Sequence, residues 1–258
     1  MRALLVGDTH ANTRWLEQTV TRAAIAQDAE LIIQLGDFGF WPGRPAGERF
    51  LDAARRSPIP LWWIDGNHEH HDALATEVAR ADDLEGGRGI ALGGNLTYLP
   101  RGSRFALGGV SMFVCGGAQS IDRAYRKPGV DWFAAERISD DDVGRCAAEG
   151  HADIALTHDA PAGWRIPGLL DDNTLGAALR SELPACWSHR DQLERIIDVV
   201  TPQLLVHGHY HSGYARAVDR AWGAMQVVGL DCDGTAHSMA LLDCDEGAWQ
   251  ITPIAVAP

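Results

Sequence analysis

Five short blocks in this chain end in metal-binding residues, and each follows an apolar run. They are Gly7-Asp8-Thr9-His10, Gly36-Asp37, Gly66-Asn67-His68-Glu69, Thr157-His158-Asp159 and Gly208-His209-Tyr210-His211. The runs before them, such as Leu31-Ile32-Ile33-Gln34-Leu35 and Leu204-Leu205-Val206, read as buried strands. A chain written this way must bring several strand ends to one place, where a rigid scaffold holds ligands at fixed distances. Asp, His and Asn supply hard oxygens and borderline nitrogens with no thiolate among them. Such a set suits Mn²⁺, Fe or Zn²⁺ better than a structural cysteine-zinc site does.

Between the blocks the pattern alternates. Residues 2–6 read as a strand, and residues 13–27 as a helix with Trp15, Leu16, Val20, Ala23 and Ala24 on one face. The strand at 31–35 follows, then a short helix over 46–55 and a strand at 60–64 that ends at Asn67 and His68. This order predicts a parallel α/β layout with ligands at carboxyl strand ends. Strands 103–107 and 110–114 meet at Gly108-Gly109, a two-residue hairpin turn. A helix near 139–149 leads into strand 153–157, and Ser188 with Asp191 three positions on is read as the cap of a helix over 189–200. Three or four antiparallel strands, at about 213–218, 223–230, 237–243 and 248–254, are expected to close the chain. The order implies two packed sheets flanked by helices. Residues 160–187, rich in Gly, Pro, Asp and Leu without periodicity, read as a long loop or partial lid beside the site.

Bulk composition narrows the class. The 258 residues are 46% hydrophobic, enough for a substantial core. The blocks span most of the length, which favours one domain over residues 1–258. The formal net charge is -13 and the sequence pI about 5.2. That balance disfavours long nucleic acid, whose binding leans on many Lys and Arg contacts to phosphates. Five cysteines, an odd number with no CxxC pair, read as free thiols in a reducing compartment. The first apolar run is too short for a signal peptide, and no stretch reaches a membrane span. A cytoplasmic protein with no membrane partner is the expectation.

The five blocks together resemble the calcineurin-like metallophosphoesterase superfamily, whose pattern runs Asp-x-His, Gly-Asp, Gly-Asn-His-Asp/Glu, a lone His and Gly-His-x-His. All five elements occur here in that order, from Asp8 to His211. The resemblance implies a four-layer α-β-β-α sandwich of two mixed β-sheets. It also implies two divalent ions, with Mn²⁺ the first choice and Fe or Zn²⁺ the alternatives. Asp37 matches the carboxylate that bridges both ions. Asp8, His10 and His211 match the ligands of one, and Asn67, His158 and His209 those of the other. Alternate residues of an extended segment share a side, which would let Asp8 and His10 act together. His209 and His211 have the same spacing yet go to different ions, which requires the turn after Gly208 to splay them. His68 matches the histidine that protonates the leaving oxygen or steadies the phosphoryl group, and Glu69 or Asp8 is placed to orient it. The ions would activate a water to attack phosphorus.

Departures from the family narrow the substrate. Members acting on phosphoproteins or dinucleoside tetraphosphates carry Asp-Arg-Gly after the second block and an Arg before Gly-Asn-His. Here the second block reads Gly36-Asp37-Phe38-Gly39, and Asp65 stands at the Arg position. The chain looks closer to small bacterial and phage phosphodiesterases. The expected substrate is a small phosphodiester such as a 2′,3′-cyclic nucleotide. A phosphomonoesterase is the alternative, a nuclease is disfavoured by the acidic composition, and a catalytically dead scaffold would be expected to have lost ligands that are all present. Trp41 is a candidate to stack on a base or to pack in the core. Arg123, in a segment similar to one in bacterial and phage members, is a candidate phosphate clamp or a partner of Asp122. Trp164 and Arg165 lie on the predicted lid. Asp159 reads as a turn cap or as a partner for a proton near the ligands. His70 and His71 read as exposed residues at a helix start, His151, His189 and His237 as surface or capping residues, and His207 as a strand end.

Overall fold

Each apolar run becomes a strand in the computed structural model, which describes residues 1–81, 89–169 and 174–255. The first sheet takes β1 (Arg2–Val6), β2 (Leu31–Leu35), β3 (Leu61–Ile64), β4 (Ile90–Ala91) and β5 (Leu96–Tyr98). The second takes β6 (Arg104–Leu107), β7 (Val110–Cys115), β8 (Ile154–Thr157), β9 (Leu204–His207), β10 (Tyr214–Arg220) and β11 (Gly223–Gly229). The chain then returns to the first sheet with β12 (Met239–Asp245) and β13 (Ala248–Ile254). Strand order is β13-β12-β1-β2-β3-β5-β4 in one sheet and β10-β11-β9-β8-β7-β6 in the other. Both sheets are mixed.

The layering follows from the two-residue period of a strand. In β1, Leu4 and Val6 face a core formed with Trp15, Leu16 and Val20 of the first helical segment and Phe50, Leu51 and Ala54 of the helix Pro45–Arg55. Ala3 and Leu5 of the same strand face the other way, onto Val114, Leu156 and Val206 of the second sheet. The far side of that sheet, with Phe113, Ala155 and Leu205, packs on Val143 of the helix Asp140–Ala147 and on Leu193, Ile196 and Ile197 of the helix Leu183–Val200. The layers are therefore helix, sheet, sheet, helix, the expected sandwich.

Several local expectations change. The helix read over 189–200 starts at Leu183. Pro184 lies in its first turn, where its missing N–H costs nothing and its φ is already helical. Ser188 is therefore inside the helix and not its cap. The loop read over 160–187 holds this helix start and a short helix, Ala177–Arg180, while its residues 170–173 lie outside the described residues. The four closing strands split between the sheets, and β11 runs parallel to β9. Helix Asp140–Ala147 carries a reciprocal cap between Ser139 and Asp142. The first helix contains a π turn at Leu16–Val20. All five cysteines are free, with Cys115, Cys146 and Cys244 buried and Cys186 and Cys232 half-buried. Among the described residues no helix is long and apolar enough to cross a membrane.

Strands β1, β2 and β3 are mutually parallel, as are β7, β8 and β9. Their carboxyl ends meet at one edge of the sandwich. The fit there is tight enough to demand glycine: a Cβ on Gly36 (φ +91) would lie 2.2 Å from His158 Nδ1, and one on Gly208 would lie 2.3 Å from Asp8 Oδ1. The side chain of Gln34 stitches the first two strand ends. Its amide donates to the carbonyls of Gly7 and Gly36 and accepts from Gly36 N–H.

Candidate metal centre

The strand ends deliver two groups of ligands. Asp8, His10 and His211 place one donor atom each within 4.8 Å of one another, and Asp37, His158 and His209 do the same. Asp37 faces both. Its Oδ2 lies 3.6 Å from His10 Nε2 and its Oδ1 3.4 Å from His158 Nε2. Asn67 joins the second group, with Oδ1 3.2 Å from His158 Nε2. The histidines of the final block do separate, His209 to one group and His211 to the other.

The backbone achieves this by leaving the extended region. His10 (φ 45), Asp37 (φ 48), His209 (φ 68) and His211 (φ 46) are all left-handed. Asp and His tolerate that conformation better than most residues, and such positions gather at functional sites. The expectation that Asp8 and His10 share a side of an extended segment is thus corrected: the chain turns at His10 and Ala11 (φ 56) to aim the imidazole back. Below the turn at Asp37, Phe38 stacks on Trp63 at 4.5 Å and Phe40 at 5.5 Å, fixing the loop from beneath.

Five of the candidate ligands are held by a partner. His158 Nδ1 donates to Leu35 O at 2.7 Å, leaving Nε2 toward Asp37. His10 Nδ1 meets Asp233 Oδ1 at 3.0 Å, and Asp233 Oδ2 also accepts from Asn12 Nδ2 at 2.6 Å. Asn67 Nδ2 donates to Ser120 Oγ at 3.1 Å, so its oxygen is the atom turned to the ligand group. Ser120 in turn donates to buried Glu136 at 2.7 Å and accepts from Arg126 at 2.7 Å. Backbone N–H groups of His209 and His68 donate to Asp8 Oδ1 and Asp37 Oδ1 at 3.1 and 2.7 Å. Partners of this kind fix tautomer and ring direction in metal sites.

The electrostatics call for cations. Asp8 and Asp37 are buried, and Asp8 Oδ2 faces His211 Nε2 at 3.1 Å. Burial opposes the charged form of His10, yet Asp233 and Asp37 outweigh it and lift the imidazole to about 11. Burial likewise opposes His158, and Asp37 and Asp8 lift it to about 9. The hydrogen bond to Asp8 lifts His211 to about 10. His209, by contrast, is pushed down to about 4 by burial. Burial resists ionisation of Asp37, but His158, His68 and His10 hold its carboxyl well below the usual range. Two buried carboxylates with an amide oxygen and imidazoles, two of which, His10 and His211, are exposed, and with no thiolate among them, fit divalent ions of the Mn²⁺, Fe or Zn²⁺ type.

The remaining candidates sort out as follows. His68 lines the cleft beside both groups, its ring 6.1 Å from that of His10. Glu69 does not orient it: the Glu69 carboxylate accepts from the backbone N–H groups of Phe38, Gly39 and Phe40 and so pins the loop after Asp37. Trp41 donates from its indole to His68 O at 2.9 Å and packs beside His70 and Phe133, away from the cleft lining. Arg123 lies 3.9 Å over the Trp132 ring, and it is Arg126 that approaches Asp122. Trp164 is buried, with its indole donating to Tyr214 O–H at 3.2 Å, whereas Arg165 reaches the cleft. Asp65 is buried in an ion pair with Arg101 at 2.6 Å and accepts from Tyr98 O–H.

Two histidines depart from expectation. His71 is buried, bonded through Nε2 to Gly66 O at 3.1 Å, because the helix His71–Arg80 begins under the Asn67 loop. His189 is buried with Nδ1 on Asp159 Oδ2 at 2.7 Å, a consequence of the earlier helix start. Asp159 also accepts from Tyr210 O–H and Ala160 N–H, so it braces the loops that carry His158 and His209. His70 caps its helix, His151 and His237 are exposed, and His207 ends β9 with Nε2 2.6 Å from Tyr214 O–H. Asp233 escaped the sequence reading. Its signal was present, since Val227-Val228-Gly229-Leu230 followed by Asp231-Cys232-Asp233-Gly234 is one more apolar run ending in acidic residues.

Asp37, Asn67, His209 and His211 line the floor of a cleft of about 650 Å³. A sequence profile described as calcineurin-like phosphoesterase matches residues 1–213. Among solved structures, a hypothetical protein from Thermus thermophilus is similar at 16% identity and TM-score 0.49, over 99% of this chain and 99% of that one. A structure described as a novel phosphatase from Mycoplasma pneumoniae is similar at 10% identity and TM-score 0.49, over 99% of this chain and 93% of that one. No curated protein matches the chain.

Proposed function

The chain belongs to the calcineurin-like phosphoesterase family, and from that premise we propose that it is a dinuclear-metal phosphodiesterase acting on small organic phosphodiesters, 2′,3′-cyclic nucleotides among the candidates. The observation that carries this reading is Asp37, whose two oxygens face two separate ligand groups. Asp8, His10, His211 and Asp37 would hold one ion, and Asp37, Asn67, His158 and His209 the other. Two divalent ions there would supply positive charge to the phosphoryl oxygens and make a water a competent nucleophile near neutral pH.

The protein's own groups supply the rest. Asp233, Ser120 and the Leu35 carbonyl hold His10, Asn67 and His158 in their ligating directions. His68 stands at the cleft surface with its main chain tied to Asp37 and Trp41, so its imidazole is presented where an ester oxygen would leave. In the net reaction water's oxygen bonds to phosphorus, one P–O ester bond breaks, the departing oxygen takes a proton from His68, and the proton released by the attacking water restores that imidazole. The products are an alcohol and a phosphomonoester.

Charge supports a diester over a monoester. A monoester carries nearly two negative charges near neutral pH, since its second pKa is about 6, whereas a diester carries one. Among the described residues the lining holds two arginines, exposed Arg165 and Arg190, the latter tied to the carbonyls of Ala160, Pro161 and Trp164, and the carboxylates of Asp122 and Asp159 lie beside them. The test is hydrolysis of matched nitrophenyl diester and monoester substrates by metal-stripped protein, with and without Mn²⁺. Mn²⁺-dependent diester cleavage is expected. Monoester preference would move the assignment to a phosphatase, and failure to cleave either ester with Mn²⁺, Fe or Zn²⁺ would overturn the hydrolase reading.

A further inference from the structure

The cleft does not stop at the ligand groups. One wall is the start of the helix Leu183–Val200, where Leu183, Cys186, Trp187 and Arg190 all line it. That spacing, i, i+3, i+4 and i+7, is one face of a helix. The later turns of the same helix bury Leu193, Ile196 and Ile197 against the second sheet, so the stripe over 183–187 serves the cleft and not the core. Ile121, Ile166, Leu169 and Leu175 add to the apolar lining. At the inner end Arg190 lies 5.9 Å over the Tyr210 ring, which itself abuts the ligand His209 at 4.8 Å. The wall is therefore continuous with the floor.

Trp187 carries the argument. It is 51% exposed, although Leu183, His189 and Leu193 of the same helix are buried. Large exposed apolar side chains gathered in one concavity mark binding sites, and Trp is the side chain most often found to carry binding energy. A cleft of about 650 Å³ has the size of sites that enclose a ligand of organic character well beyond a phosphoryl group. Apart from Arg190 the wall is apolar, with one aromatic ring, Trp187. An alkyl or aryl group is satisfied by such a surface, whereas a nucleobase needs hydrogen-bonding partners when buried.

Resting on the phosphodiesterase reading, we propose that this wall is a subsite for an apolar ester group, and that the preferred substrate is a phosphodiester bearing an alkyl or aryl chain and not a nucleotide. The test uses the full-length, metal-loaded chain and a series of 4-nitrophenyl alkyl phosphodiesters from methyl through butyl to octyl, beside 2′,3′-cyclic nucleotides. For the unaltered protein kcat/KM is expected to rise at least about tenfold from methyl to octyl, a floor equal to the worth of one fully fitted methylene. In Trp187→Ala the rise should shrink to less than about threefold relative to that variant's own methyl ester. Ile121→Ser, elsewhere in the lining, should flatten the series in the same direction. Equal kcat/KM along the series in the unaltered protein, or a nucleotide preference unaffected by either variant, overturns the subsite and leaves the hydrolase reading standing. If no ester turns over, calorimetry with octylphosphonate and methylphosphonate decides. Tighter binding of the octyl compound, lost in Trp187→Ala, keeps the subsite while the phosphodiesterase reading falls; equal binding overturns the subsite too.

Discussion

Asp233 should govern the ion at Asp8, His10 and His211 without being one of its ligands. Its carboxylate accepts from His10 at 3.0 Å and from Asn12 at 2.6 Å. Replacing it by Ala removes the acceptor that fixes the His10 ring. A hydrogen bond to a charged acceptor contributes about 1.5–3 kcal/mol net. Both side chains retain some exposure, 30% for His10 and 20% for Asp233, which puts the loss at the low end. About 1.5 kcal/mol is roughly tenfold in affinity, within the range seen when such supporting partners are removed. Asp233→Asn keeps an acceptor and loses only the charge, so its effect should fall between that of Ala and the unaltered protein. The assay is calorimetric titration of Mn²⁺ into metal-stripped protein, resolved into two sites. In Asp233→Ala one site should weaken about tenfold and the other should stay close to its original affinity. Two unchanged sites would refute the orienting role; equal weakening of both would show that Asp233 acts by holding its loop.

Three further outcomes are expected. Asp37→Ala should remove the carboxylate shared by the groups, so metal analysis should find fewer than two ions retained; full retention would refute the bridging assignment. His68→Ala should keep its metal and lose far more rate on alkyl leaving groups than on nitrophenyl, because only the poor leaving group needs a proton; equal losses would remove its role as acid. His71 should contribute to acid lability: burial pushes its imidazole down from 6.5 to about 4. Because the folded value lies below the unfolded one, its contribution is fully present above about pH 6.5 and is lost as pH falls toward 4, about 3 kcal/mol in all. His71→Asn should flatten the urea-denaturation profile between pH 7 and 4.5, and a profile parallel to that of the unaltered protein would refute the account.

The parts of the molecule that could be read from sequence are those where one physical demand acts alone. Strands such as Leu31–Leu35 and Leu204–His207 are buried on both faces and so appear as unbroken apolar runs. The ligands follow them directly. The failures lie where a distant partner decides. Nothing local to His189 announces Asp159, thirty positions away, and nothing local to His71 announces the loop above it. The turn at His10 defeats the two-residue period because Asp37 O accepts from both Thr9 and His10 N–H groups and bends the chain. Arg123 and Arg126 are indistinguishable by type, and only packing tells which covers Trp132 and which reaches Ser120.

The ligands come from both sheets: Asp8, Asp37 and Asn67 follow strands of the first, and His158, His209 and His211 follow strands of the second. An ion taken up there is a rivet through two plates that adhere by apolar contact between their faces and, at this edge, by hydrogen bonds such as that of His158 to Leu35 O. Its binding energy is then also adhesion energy, worth about 2.7 kcal/mol to the folded state at a hundredfold excess over Kd. Metal supply would set how firmly the halves of this sandwich are fastened as well as whether the site can act, and a cell short of metal would hold a looser protein along with an idle one.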